Sequence, residues 1–186
     1  MKPANLIILN VKTKELLPFG ETQIIMQKGN IDVWLDHNER VVGIDPGQVH
    51  MGVAVLRDRN FTIFEVKLPS KQPIVDRLET TLALLDYIFS LSVPPDSILK
   101  ACVEQAAFGA PFGQAALAES RSAAVISILS KKVKPVVAPP LTIRKAVFGS
   151  GKQRAEEFEL WNELLPNAAS ALACALFAIT RDENKN

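Results

Sequence analysis

Two carboxylates stand where this chain can do chemistry with them. Asp45 follows the apolar run 41–44 and precedes Pro46-Gly47, so a turn fixes it just past a short buried strand. Open α/β folds collect their ligands at that carboxyl edge, so Asp45 reads either as a turn opener or as a site residue. Glu104 repeats the arrangement: it closes the apolar run 101–103 and leads into Gln105 and a loop with Gly109-Ala110-Pro111. Two acids at the ends of two strands of one sheet can converge on a divalent cation. Hard oxygen ligands suit Mg²⁺, which takes one or two carboxylates and completes its shell with water and substrate phosphate.

Charge is segregated further along. Between Ser120 and Ala155 there are eight basic residues and no acidic one: Arg121, Lys131, Lys132, Lys134, Arg144, Lys145, Lys152 and Arg154. The net charge of +1 conceals this zone and excludes a uniformly basic coat. A basic zone following two candidate metal acids suits a phosphodiester substrate. Arg144-Lys145 and Lys152-Gln153-Arg154 flank Gly149-Ser150-Gly151, a loop whose backbone can approach another backbone closely. Lys131, Lys132 and Lys134 bracket a strand start and read equally well as solvated surface.

The elements that position these residues follow from periodicity. Residues 1–40 form a β-rich N-terminal extension, with runs at 6–11, 23–26 and 31–35 and a hairpin turn expected at Gly29-Asn30. From residue 41 the pattern is α/β. Strands are predicted at 41–44, 51–57, 61–67, 99–103 and 133–137. Helices are predicted at 74–91, with Leu78, Leu82, Leu85, Ile88 and Phe89 on one face, and at 115–129, 141–148 and 152–164, with a last one opened by Pro166. The expected architecture is α/β: a mixed five-stranded sheet flanked by helices, carrying a small N-terminal β appendage, with residues 41–186 as the principal domain.

Composition bounds the rest. Apolar residues are 48% and charged residues 22% of 186, enough to bury a core. Cys102 and Cys174 sit in apolar runs without metal or disulfide spacing and read as reduced core residues. No secretory signal is apparent. The longest apolar stretch, 168–179, is interrupted by Ser170 and falls short of the roughly 20 residues that cross a bilayer. A cytoplasmic protein with no membrane partner is the expectation.

Four segments in order resemble the RuvC-type Holliday junction resolvases of the ribonuclease H-like superfamily. Val-Gly-Ile-Asp45-Pro-Gly, four residues, then Gly-Val-Ala-Val is similar to their first motif. Val-Glu104-Gln, two residues, then Phe108, with the small-residue helix carrying Arg121, is similar to their second. Ile143-Arg144-Lys145-Ala-Val-Phe-Gly-Ser-Gly-Lys152 resembles their basic helix and loop, about two residues shorter, and residues 168–173 resemble their last helix. The resemblance implies a ribonuclease H-like fold, a homodimer, branched DNA and four-way junctions as partners, and Mg²⁺ (or Mn²⁺) as cofactor for symmetric strand cleavage. It implies Asp45, Glu104 and Asn167 as metal ligands and Ser170 beside them. Arg144 and Lys152 would contact phosphates near the scissile bond, with Arg121, Lys145 and Arg154 as further DNA contacts. Phe108 would stack on a base, or else be a core phenylalanine.

One departure cuts into that expectation. Where the family opens its last helix with two aspartates three residues apart, this chain has Asn167 and Ser170. A two-metal site needs carboxylates to offset two dications about 3.5–4 Å apart. Three explanations stay open: an inactivating replacement of an aspartate, a resolvase that uses another acid (Glu156, Glu157, Glu159 or Glu163), or a junction-binding protein without catalysis. Asn167 also reads as a helix N-cap, since Asn caps about as well as Asp. A non-catalytic branched-DNA-binding module and an RNA-processing nuclease of the same superfamily are the rival functions.

Overall fold

A computed structural model describes residues 8–20, 22–33, 35, 39–68, 71–94, 97–105, 114–152 and 161–183. The elements run β1 (Ile8–Phe19), β2 (Thr22–Ile31), β3 (Arg40–Asp45), β4 (His50–Arg57), β5 (Asn60–Lys67), α1 (Ile74–Ser92), β6 (Ile98–Glu104), α2 (Gln114–Ser130), β7 (Val136–Ala138), α3 (Pro140–Phe148) and α4 (Pro166–Glu183). The strands form one sheet in the order β1-β2-β5-β4-β3-β6-β7. Pairing is antiparallel from β1 to β3, while β3–β6 and β6–β7 are parallel.

The five strands expected from residue 41 onward are β3 to β7. The N-terminal segment adds two more, and β2 is hydrogen-bonded along β5 as part of the same sheet. The hairpin turn is not at Gly29-Asn30 but at Gly20, which takes a left-handed φ of 55° between β1 and β2. Gly29 lies inside β2 for another reason. A Cβ there would come within 2.3 Å of both the Asn10 carbonyl oxygen and the Phe61 ring.

Strand alternation divides the core by face. On one face Val42, Ile44, Val53, Val55, Phe64 and Val66 pack against Leu84, Leu85, Ile88 and Phe89 of α1 and Ala124 and Ile128 of α2. Thr81 and Leu84 are buried on α1, so its inward face is rotated slightly from the expected Leu78 and Leu82. On the other face Val41, Ala54, Leu56, Phe61, Ile63 and Cys102 meet α3 and α4. Both cysteines are buried and free, as expected.

Two local departures have simple causes. β7 begins only at Val136, since Pro135 lacks the N–H that a ladder requires. Of the helix expected over 152–164, residues 153–160 lie outside the described set, and Trp161–Glu163 forms a single 3₁₀ turn. Among the described residues no helix is long and apolar enough to cross a membrane.

Candidate metal centre and nucleic-acid face

The two acids singled out by sequence are brought together by a parallel strand pair. β3 and β6 run in register through Gly43 with Cys102 and Ile44 with Val103, so Asp45 and Glu104 are the next residues on adjacent strands. Alternation puts both on the α4 face, with backbones about 4.8 Å apart. Asp45 also pairs with Gly52 of β4, which pairs with Glu65 of β5. One row across the sheet edge therefore reads Glu104, Asp45, Gly52, Glu65.

α4 is laid directly on this row. A Cβ on Gly52 would sit 1.9 Å from the Asn167 carbonyl oxygen, and one on Gly43 would sit 2.0 Å from the Ala171 carbonyl oxygen. Both glycines thus let the helix backbone touch the sheet, and the alanines on its buried side keep it there. This close approach brings the first turn of α4 over the acids. The Ser170 side chain stands beside the Asp45 carboxyl and favours its charged form. The Asn167 backbone N–H donates to Glu65 Oε2 at 3.2 Å. Asn167 is therefore inside the first turn and is not the N-cap that sequence suggested. Its amide, one of the donors that a helix start leaves without an internal partner, is satisfied from β5.

The electrostatics follow from burial and like charge. Burial pushes the Asp45 carboxyl up to about 6, with the Glu65 charge adding to the rise while Ser170 and the Arg144 charge oppose it. Burial, and then the Asp45 charge, push Glu104 up to about 8, again opposed by Arg144. A pair of acids held so close resists double ionisation, and a dication between them reverses that cost. The donor set is carboxylate, carboxylate, hydroxyl and amide, all hard oxygens, and it fits a single Mg²⁺ that keeps water or phosphate in its shell. Among the described residues no group of three or more His, Cys, Asp or Glu is close enough to hold an ion by itself.

Solved structures share this fold. The chain matches "Thermus thermophilus RuvC structure" at a TM-score of 0.60 and 20% identity, covering 78% of this chain and 96% of that one. It matches "T. thermophilus RuvC in complex with Holliday junction substrate" at a TM-score of 0.60 and 21% identity, with the same coverage. This chain has a RuvC-like fold. No family model matches the chain, and no curated protein matches it by sequence.

Within the RuvC-like fold the structure brings together some of the expected site residues and not others. Asp45, Glu104, Asn167, Ser170 and Arg144 converge, with Arg144 of α3 half-buried and its charge felt by both acids. Lys145 and Lys152 are exposed on and after α3, where Gly149 ends the helix with a φ of 77°. Arg121 is half-buried on α2, its Nε enclosed and without a hydrogen-bond partner among the described residues. Lys131 faces Asp86 at 3.3 Å, which favours the surface reading for that lysine. Phe108 and Arg154 lie outside the described residues, as do Glu156, Glu157 and Glu159. Glu163 is exposed in the 3₁₀ turn.

Three residues at the site were missed. Glu65 is 13% exposed and lies 3.8 Å, Oε1 to Nδ1, from the more open His50. Gln27 of β2 is buried, with Nε2 donating to the Glu163 carbonyl and Oε1 accepting from the Leu165 N–H. Their sequence signal was alternation: Glu65 shares the inward face of Phe61 and Ile63, where a charge is out of place.

Proposed function

We propose that this protein is a structure-selective, metal-dependent endonuclease that acts on four-way DNA junctions as a homodimer. The observation that carries the reading is the Asp45–Glu104 pair on adjacent strand ends beneath the first turn of α4, with Arg144 beside it. The RuvC likeness, including a relative solved on a Holliday junction, supports the substrate class.

Asp45 and Glu104 would hold Mg²⁺, with the Asn167 side-chain oxygen as a weaker neutral ligand. When bound, the ion would offset charge developing on the phosphodiester during hydrolysis. Ser170, beside Asp45, would help hold that carboxyl in its charged, ion-binding form. Arg144 keeps the paired acids from accumulating unopposed charge and offers a guanidinium to a phosphate. Lys145 and Lys152, exposed on and just after α3, would add cationic contacts to the DNA, and the pairing of such residues by a two-fold dimer suits a two-fold junction.

An exposed stripe supports self-association. On α2 the outward residues Ala115, Ala118, Ser122, Ile126 and Leu129 recur at three- and four-residue spacing, and Ile126 and Leu129 are each about half exposed. Such a row suits packing against a second helix of the same kind. The neutral Asn167 and Ser170 favour one other reading, a branched-DNA-binding protein that does not cut.

The test is cleavage and binding of junction, duplex and RNA in Mg²⁺ and Mn²⁺, by the chain as it stands, by Asn167→Asp, and by Asn167→Asp with Ser170→Asp. The nuclease reading expects junction over duplex binding in all three and a gain in cutting of about ten-fold or more from Asn167→Asp. Selective binding with no cutting by any of them leaves the binding-protein reading. Equal affinity for junction and duplex at matched salt removes both.

A further inference from the structure

Helix α4 begins at Pro166, which has no N–H, so the N–H groups of Leu165, Asn167 and Ala168 are left at its start without partners inside the helix. The sheet supplies two of the three. Gln27 Oε1 accepts from Leu165 at 3.1 Å, and Glu65 Oε2 accepts from Asn167 at 3.2 Å. The other end of the same Gln27 amide donates to the Glu163 carbonyl at 3.2 Å, which ties down the turn leading into the helix. Gln27 is 1% exposed, so both its polar ends depend on these bonds, and they reach across 136 and 138 residues of sequence. Glu65 in turn places a carboxylate at the positive end of the helix.

We propose that Gln27 and Glu65 are positioning residues: a clamp from β2 and β5 that sets the first turn of α4, and with it Ser170 and Asn167, at working distance from Asp45. The consequence for the N-terminal segment is direct. β2 is part of the hairpin that extends the sheet beyond β5, so this segment has a task at the metal centre although β5 and β4 stand between it and the strand of Asp45. The clamp also explains how a site with two neutral positions keeps its shape. Ser170 stays beside Asp45 only while the helix start stays over Gly52, and the clamp holds it from the far side. The proposal deepens the nuclease reading and rests on it for its functional half.

The experiment uses the full chain and four variants: Gln27→Leu, which is neutral and close in size, Glu65→Leu, Glu65→Gln, which keeps an acceptor for the Asn167 amide, and Asp45→Asn. Amide exchange is followed over residues 165–172 and over β3 and β4, and Mn²⁺ affinity is measured in the absence of DNA, with Asp45→Asn identifying binding at the acid pair. Gln27→Leu and Glu65→Leu are expected to speed exchange at the start of α4 and leave β3 and β4 protected. Both should weaken Mn²⁺ binding by about ten-fold or more, the range for losing a residue that orients ligands. Glu65→Gln should restore most of both. Unchanged exchange at α4 in both leucine variants overturns the clamp. Faster exchange with unaltered Mn²⁺ affinity reduces it to a structural brace and overturns the positioning role. If Glu65→Gln loses as much affinity as Glu65→Leu while keeping α4 protected, Glu65 acts by charge and its part in the clamp is overturned. A parent chain that binds no Mn²⁺ removes the nuclease reading instead, and the exchange results then decide the clamp separately.

Discussion

The two faces of the sheet are packed by different rules. Against α1 and α2, large side chains interdigitate: Phe64 and Phe89 are almost wholly buried among Val42, Ile44, Val55, Leu85 and Ile88. On the α4 face Leu56, Phe61 and Ile63 also pack, but beneath the start of α4 the sheet gives up its side chains at two positions. Gly43 and Gly52 face a helix lined by Ala168, Ala171 and Ala175, and backbone meets backbone. Both faces hide apolar area. The second also holds a helix terminus at a fixed height above Asp45 and Glu104. Mass in the core stabilises, whereas the absence of mass at two positions builds the site.

The largest expected effect on stability comes from the bulky face. Phe89→Ala should cost about 3–5 kcal/mol, read from denaturant unfolding, because the surrounding core cannot collapse onto the space left. The molecules that remain folded should bind Mn²⁺ as the parent does. If their affinity drops, the two faces are not independent.

Gly52→Ala breaks the comparison from the other side. The added methyl meets the Asn167 carbonyl at 1.9 Å, and neither backbone is a flexible tip that can turn away. Its expected cost is about 1–3 kcal/mol, the usual range for overpacking, so less than that of Phe89→Ala. Its effect on metal binding should nevertheless be the greater, since α4 must lift from the acids. Normal Mn²⁺ affinity in this variant would show that the height of the helix does not matter.

A smaller effect follows from the paired acids. Asp45 and Glu104 are raised to about 6 and about 8 in the folded chain, against roughly 4 when unfolded. The folded state therefore holds more protons between pH 4 and 8, and stability falls as pH rises through that window. In chelator the melting temperature should be lower at pH 8 than at pH 5, each 1 kcal/mol corresponding to about 2–4 °C at this chain length. Mg²⁺ should restore it at pH 8 by binding the folded state, and Glu104→Gln should flatten the pH dependence and abolish the Mg²⁺ response. A melting temperature that rises steadily from pH 5 to 8 in chelator would contradict the crowding of the two acids.

Much of this was legible in residue order. A run of β-formers closed by Asp45-Pro46-Gly47, or by Glu104, declares a carboxylate at a strand end, because strand length and turn chemistry are local. The alanine-rich stretch after Pro166 likewise declares a helix able to pack closely. The four-segment likeness to the resolvases rested on these local signals, and the RuvC-like fold agrees with it. The hairpin turn was misplaced because Gly29 looks like a turn residue in isolation, and only the Phe61 ring beside it shows what the missing Cβ is for.

What tertiary structure alone decided is the company the acids keep. Glu65 stands 20 residues after Asp45, and Gln27 stands 136 before Glu163, yet strand order and register bring them to the same helix start. Nothing local specifies that β5 lies next to β2, or that Gly52 leaves a gap through which α4 descends. Strand ends and helix faces are dictated by neighbours a few residues away, through backbone geometry. Which amide caps which helix is settled only when the whole sheet closes, because an enclosed donor or acceptor must find its partner wherever packing brings one.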